Sequence, residues 1–395
     1  MTKQVIIIVT PWFGEFAGGA EVLARSLAIG LNQRGIETII FTTCGKSPYN
    51  NWWSDYYNTG VYDVYGVETH RFTTDKGTRA RYRNAEIKVS KGDKVTEQER
   101  KDFFECGINS FNLIEALGKP EYKNVEIIAM PYFHGLTHSL INCYPGRVSI
   151  TPCFHNEPQF YWIIQIEALL SNSKYIFYNS IEEKEMVIKT YGHRVGRKVV
   201  ESPVAGVPVE MAGTDNSDRK GTYKLPRDYF VYAGRKEIGK NVPLLCEWFD
   251  KYVGEFNRNA KLVFIGGGDA SLLPMSDNFL DLGVVSEADK YFIIKNAKAL
   301  ISLSDNESFS VVLMEAWLLG VPVIVSARCA VTRGHVKRSN GGLYVKNADE
   351  FAMALRYIED NPEISSLLAS NGKSYVSGEF SFDRVLSKYL NGLGI

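Results

Sequence analysis

The alternation of short apolar runs with segments of helical period, begun at Val5 and begun again at Tyr229, is the strongest constraint on how this chain folds. Val5 to Thr10 reads as a strand, Glu21 to Gln33 as a helix closed by Gly35, and Ile36 to Thr43 as the next strand. A Pro/Gly-rich stretch from Ser202 to Pro208 and a polar run through Lys224 interrupt the pattern. The order then returns: strand Tyr229 to Ala233, helix Val242 to Val253, and strand Leu262 to Ile265 opening on Gly266-Gly267-Gly268-Asp269. Repeated strand–helix–strand units of this kind assemble into doubly wound α/β sheets. At 395 residues there is chain enough for two such domains, each with its own core.

Further strands are expected at Val125 to Met130, Val148 to Pro152 and Tyr175 to Asn179, and a helix from Ile181 to Tyr191 stopped by Gly192. Asn51 to Val67, rich in Tyr, Trp and Asn, reads as irregular surface. Asp75 to Glu105 is dense in both charge signs and reads as a mobile excursion leading into a helix, Glu97 to Leu117. The last helix, Phe382 to Leu393, follows Ser381, a suitable cap.

Composition excludes several classes. Lys plus Arg and Asp plus Glu both number 45, so the formal net charge is zero, which argues against a dedicated nucleic-acid binder. Six cysteines are scattered without metal-ligand spacing, as suits a reduced cytoplasmic interior. The apolar run Val5 to Val9 is too short for a signal peptide or a membrane span.

The most informative local segment is Asn306-Glu307-Ser308-Phe309-Ser310-Val311-Val312-Leu313-Met314-Glu315, followed by Ala316 and, after three residues, Gly320-Val321-Pro322-Val323. Ala299 to Leu303 reads as a buried strand, Ser308 or Ser310 as the cap of the next helix, and Gly320 as its end before a strand from Val321 to Val325. Glu307 then lies in a loop and Glu315 in the second helical turn. The free N–H groups and positive dipole end between them form a seat for a phosphate. Carboxylates on either side suit ribose and sugar hydroxyls.

In these residues the chain resembles the family-four retaining glycosyltransferases of the GT-B fold. That resemblance covers most of the chain, least between 45 and 120, and implies two Rossmann-like domains facing across a cleft. The expected division is 1–205, the acceptor side; 206–377, which binds the nucleotide sugar; and 378–395, a terminal helix crossing back to the first domain. A second match is Tyr232-Ala233-Gly234-Arg235-Lys236-Glu237-Ile238-Gly239-Lys240-Asn241, at the end of a strand, where α/β sheets meet their ligands. The family's Arg and Lys here hold the donor diphosphate, so Arg235 and Lys240 are the expected cations, with Gly234 beside them. Glu315 is expected on the ribose, Glu307 on the donor sugar, and Ser308, Phe309, Ser310 and Val311 around the phosphate. Leu282-Gly283-Val284-Val285-Ser286 resembles the segment whose backbone reads the base, which places Val284 and Val285 in the site.

In the first domain, Gly18 and Gly19 open a helix and let backbone N–H groups approach a phosphate or acceptor. They are counted among the donor contacts. His155 follows a strand, and in similar enzymes such a histidine approaches the donor sugar. His134 and His138 have the i, i+4 spacing of a zinc helix, but no Glu follows His134 and Gly135 argues against a helix there, so no metal site is assigned. No Asp-x-Asp occurs in the chain and no Gly-x-Gly-x-x-Gly follows the first strand, which speaks for a metal-free mechanism and against a nicotinamide site. Many relatives place Gly where Ser308 and Ser310 stand, so sugar contacts in that loop are expected to differ.

The expectation is therefore a retaining, metal-independent hexosyltransferase without a cofactor, taking UDP-glucose by family frequency. The acceptor would be a glycan or lipid-linked sugar in polysaccharide synthesis, and peripheral association with the inner membrane face is allowed. An epimerase or phosphorylase of the same fold, a non-catalytic nucleotide-sugar or glycan-binding protein, and more distantly a Rossmann oxidoreductase are the alternatives.

Overall fold

A computed structural model gives the chain as two compact units, Met1–Val209 with Phe382–Ile395, and Glu210–Ser381. It describes residues 4–15, 18–48, 51–76, 79–195, 223–257 and 259–395. The linker expected at 202–208, and the boundary drawn at 205/206, lie outside the described residues.

The first unit runs β1 (Val5–Val9), α1 (Gly19–Gln33), β2 (Glu37–Thr43), β3 (Gly60–Val64), β4 (Val67–Phe72), α2 (Arg79–Lys91), α3 (Glu97–Glu105), α4 (Phe111–Leu117), β5 (Glu126–Ala129), α5 (Gly135–Cys143), β6 (Val148–Ile150), α6 (Ile163–Asn172) and α7 (Ile181–Val195). Its sheet has the order β3-β4-β2-β1-β5-β6, parallel except for β3 against β4. The second unit runs β7 (Phe230–Ala233), α8 (Val242–Glu255), β8 (Leu262–Ile265), β9 (Phe279–Asp281), α9 (Glu287–Lys295), β10 (Leu300–Ser302), α10 (Val311–Leu318), β11 (Val323–Ser326), α11 (Ala330–Ser339), β12 (Gly342–Val345), α12 (Ala348–Asp360) and α13 (Pro362–Glu379). Its parallel sheet has the order β12-β11-β10-β7-β8-β9. The chain ends in α14 (Phe382–Leu393), which belongs to the first unit.

β1 is apolar on both faces because both are covered. Ile7 and Val9 join Phe41, Ile127 and the aromatic core on one side. Ile6 and Ile8 pack on the other with Leu23, Leu27 and Leu31 of α1 and with Val385, Leu386 and Tyr389 of α14. Gly30 permits that last approach, since a Cβ there would stand 2.0 Å from the Phe382 ring. No helix among the described residues is long and apolar enough to cross a membrane.

Several readings of the sequence are corrected. The stretch 51–67 contains the strand β3, hidden by its exposed edge position, and its Trp52 and Trp53 are buried. Residues 79–105 form not an excursion but a helical hairpin. Arg81 is paired to Asp102, Lys88 bonds Glu99 at 2.5 Å, and a capping box joins Thr96 to Glu99. The helix expected over 97–117 is two, α3 and α4, with Ser110 capping the second. Tyr175 to Asn179 makes only an isolated bridge, Ile150↔Ile176. α7 passes through Gly192, and α5 begins at Gly135, where a helix had been argued against.

Candidate functional site

In an open parallel sheet the ligand crevice forms outside the carboxyl ends of the strands, where the strand order reverses. In the second unit that point lies between β7 and β10, neighbours in the sheet whose successors run in opposite directions. The segments after these two strands carry Lys240 and Glu307. They meet directly: Lys240 Nζ donates to Glu307 Oε1 at 2.7 Å. Lys240 closes a short 3-10 turn over Ile238–Lys240, and Asn241 follows in the left-handed region at φ 55°, its amide donating to the Leu303 carbonyl at 2.9 Å. One side chain thus ties the loop after β7 to the end of β10.

Arg235 precedes this turn, half exposed, with Nη1 3.1 Å from Glu237 Oε2. Its backbone is held from below, for Tyr232 donates its hydroxyl to the Arg235 carbonyl at 2.6 Å. Gly234 and Lys236 continue the β7–β8 pairing past the strands, with Gly234 N bonded to Ile265 O at 2.9 Å and Lys236 N to Gly267 O at 2.8 Å. Glycine is required opposite them. Gly266 sits at φ +122° and Gly268 at +110°, and a Cβ on either would fall within 2.4 Å of a carbonyl oxygen of the facing loop. The Gly266–Gly268 turn therefore shapes the Arg235 loop rather than meeting a ligand with its own chemistry.

α10 begins after Ser310, whose φ of 69° is left-handed and whose side chain makes no capping bond, in contrast to the Ser308 or Ser310 cap expected. The helix instead starts from a strained residue buried against the fold. Phe309 is buried edge-on against His335 and Phe380, so only its backbone is presented to the loop. His335, itself buried, is pushed down to about 3 by burial and by Arg338 and stays neutral. Glu315 is 2% exposed and accepts from Lys290 Nζ at 2.8 Å. Burial pulls the Lys290 ammonium down, but Glu315 and Glu287 outweigh it and hold it above its ordinary value. Val284 is exposed and Val285 half-buried, between β9 and α9.

Two residues were missed from the sequence. Lys290 could have been found from the cap Ser286, which sets α9 in place and puts Lys290 three residues after Glu287, with which it also pairs at 2.7 Å. Lys236, buried and bonded to Gly266 O and Asp281, stands beside Arg235 at the strand end; no periodicity marks it as inward.

The remaining expected residues lie in the first unit. Gly18 is the N-cap of α1 and Gly19 its first residue; nothing lies within 4 Å of a Cβ placed at Gly19, so packing does not demand glycine there. His155 follows β6, its Nδ1 3.9 Å from Glu157 Oε1, which also accepts from the Tyr132 hydroxyl at 2.6 Å. The segment around it is pinned by Glu183, which accepts from Phe154 N at 2.5 Å and Asn179 N at 2.6 Å. His134 and His138 are both buried and held low, to about 3, by that burial, one edge-on to Trp12 and the other stacked on Phe104. Among the described residues no group of His, Cys, Asp or Glu is arranged to hold a metal ion.

Two doubly wound α/β units make up the GT-B fold. Residues 214–375 match the family model of the Glycosyl transferases group 1. Among curated proteins, the chain is 25% identical over 170 residues to an uncharacterized glycosyltransferase of Methanocaldococcus jannaschii, covering 41% of this chain and 43% of that protein. It is 23% identical over 237 residues to the alpha-1,3/1,6-mannosyltransferase ALG2 of Dictyostelium discoideum, covering 54% and 53%. The matches thus span about half the length of these relatives. Among solved structures, the E. coli trehalose-6-phosphate protein bound with UDP-2-fluoro glucose superposes with a TM-score of 0.73 over 99% of both chains, at 10% identity.

Proposed function

We propose that the chain is a retaining, metal-independent hexosyltransferase that binds a nucleotide sugar on its second unit. The observation that carries the reading is the Lys240–Glu307 pair at the switch point, with Arg235 on the same loop as Lys240 and Glu315 one helix further on. Arg235 and Lys240 neutralise the donor diphosphate and take up the charge that develops on the leaving nucleotide as the glycosidic bond loosens. Glu307 accepts from donor-sugar hydroxyls, and Glu315 from the ribose. The N–H groups after Ser308 at the start of α10 face the phosphate. Backbone around Val284 and Val285 reads the base, and UDP-glucose is the donor first to be tried. The E. coli structure named above holds a UDP-sugar analogue, which supports testing a uracil nucleotide first. Gly18 and Gly19, on the first unit, offer backbone N–H groups to the donor, and His155 approaches the donor sugar as a catalytic residue. The acceptor is a glycan or a lipid-linked sugar.

The test is product stereochemistry. The chain is incubated with a UDP-, GDP- or ADP-hexose, with and without EDTA, and the anomeric configuration is followed by NMR. An axial donor bond giving an axial product bond at an EDTA-independent rate supports the proposal; inversion, or loss of turnover with EDTA, refutes it.

A further inference from the structure

In the first unit the carboxyl ends of three neighbouring strands carry a row of polar side chains that the fold leaves unsatisfied. Arg71 on β4 stands opposite Thr42 on β2, and the β1–β2 register, continued one residue past Val9↔Phe41, sets Thr10 beside Thr42. Residues in register on adjacent parallel strands emerge from the same face. This is the face of Ile6, Ile8, Ile40 and Val67, the side packed by α1. Arg71 Nη1, Thr42 Oγ1 and Thr10 Oγ1 are buried and make no hydrogen bond. The Tyr57 ring lies against the guanidinium, 3.8 Å from carbon to centroid, and its own buried hydroxyl is equally unpartnered. Nη2 of Arg71 donates to the Phe13 carbonyl at 2.7 Å.

Among the described residues no carboxylate pairs with this cation. The ionisable groups that act on it are Tyr57, Cys44 and Tyr62, and burial holds it below its ordinary value. Asp55, which also acts on Cys44, is already taken by the N–H and hydroxyl of Thr74 and by Lys76. A guanidinium does not shed its proton, so a buried one without a counter-ion is costly unless a ligand supplies the negative charge. Gly14 keeps the approach clear: at φ +146°, a Cβ there would stand 3.1 Å from the Tyr57 hydroxyl and 3.3 Å from Arg71 Nη2. The donors left over include Arg71 Nη1 and hydroxyls from two directions. A tetrahedral oxyanion, with acceptor oxygens pointing several ways, can take hydrogen bonds from the guanidinium and from these hydroxyls together.

We propose that Arg71, Tyr57 and Thr42 form a subsite for a phosphoryl group carried by the acceptor, reached beside Gly14. The proposal rests on the glycosyltransferase reading and deepens it: the acceptor is a phosphate ester, of a sugar or of a lipid carrier. The test is calorimetric binding to the full chain, at fixed ionic strength, of glucose, glucose 6-phosphate and a short-chain prenyl phosphate. Wild type should bind at least one of the two phosphates and prefer it to glucose, and which one it takes identifies the source. Arg71→Met should weaken that binding about 30-fold, the worth of one charge-assisted contact. Tyr57→Phe and Thr42→Val, which keep shape, should each weaken it about 5-fold, and they carry the test if Arg71→Met does not fold. Equal binding of glucose, no binding of either phosphate, or unchanged phosphate binding in the folded variants overturns the subsite. UDP-glucose binding to the same proteins is measured in parallel. Its retention in all variants keeps the two questions apart, and its absence from wild type counts against the donor reading instead.

Discussion

Lys240 and Glu307 are bonded to one another at 2.7 Å, so each fixes the other's rotamer before any chemistry begins. Lys240→Ala removes a preorganised cation from the point where charge develops, and kcat/KM for sugar transfer should fall about 10²–10³-fold. A steady-state assay checks it, and a near-normal rate would remove Lys240 from the site. Lys290 and Glu315 differ in kind because Glu315 is buried. Lys290→Met takes the cation from a buried carboxylate and should cost about 3 kcal/mol, read by denaturant unfolding. Glu315→Gln in the same background should recover part of that loss. That Glu307 lies in a loop and Glu315 on the helix after it could be expected from the sequence, because strand ends and helix starts can be located by pattern. The roles of Lys236 and Lys290 could not, since their partners come from other elements and no local spacing announces them.

At the scale of elements, central strands such as β1, β2, β5, β7 and β8 were read almost to the residue, while β4 and the edge strands β3, β9 and β12 were not read; the edge strand β6 was. β3 is exposed along its length, and α2 and α3 give the core only Tyr82, Ala85, Phe103 and Phe104 among many charges, so none of the three shows the apolar period that reveals a core element. Thr96 with Glu99 was a visible signature of a helix start, obscured by the charges around it. The turn after β8 gives the clearest test of how one element shapes another. Gly266→Ala places a Cβ 2.2 Å from the Gly234 oxygen at a positive φ, and should cost about 2 kcal/mol or more in a denaturant melt while raising the donor KM. After β6, burial pushes the Glu183 carboxyl up to about 8 from 4.5, against the N–H groups it accepts from. The native state then binds a proton that the unfolded chain releases above 4.5. Glu183 therefore favours folding below that pH and loses this contribution as pH rises through about 8. Stability measured from pH 5 to 8 should slope downward, and Glu183→Gln should flatten it; an unchanged slope would mean that Glu183 is ionised in the fold.

Over the whole molecule, each unit is built on a sheet that reverses its strand order once, parallel throughout but for β3 against β4, and each carries polar residues at the ends of its central strands. Cations meet carboxylates there in the second unit; in the first an unanswered guanidinium stands among hydroxyls. The central claim is that the second unit binds a nucleotide sugar without metal. It is tested most directly by thermal unfolding of the full chain with UDP-, GDP- and ADP-sugars and with NAD, each with and without EDTA. A ligand at a hundred times its Kd adds about 2.7 kcal/mol, a visible shift. The account predicts stabilisation by one nucleotide sugar, unchanged by EDTA and lost in Lys240→Ala. A shift with NAD alone, or one abolished by EDTA, would contradict it.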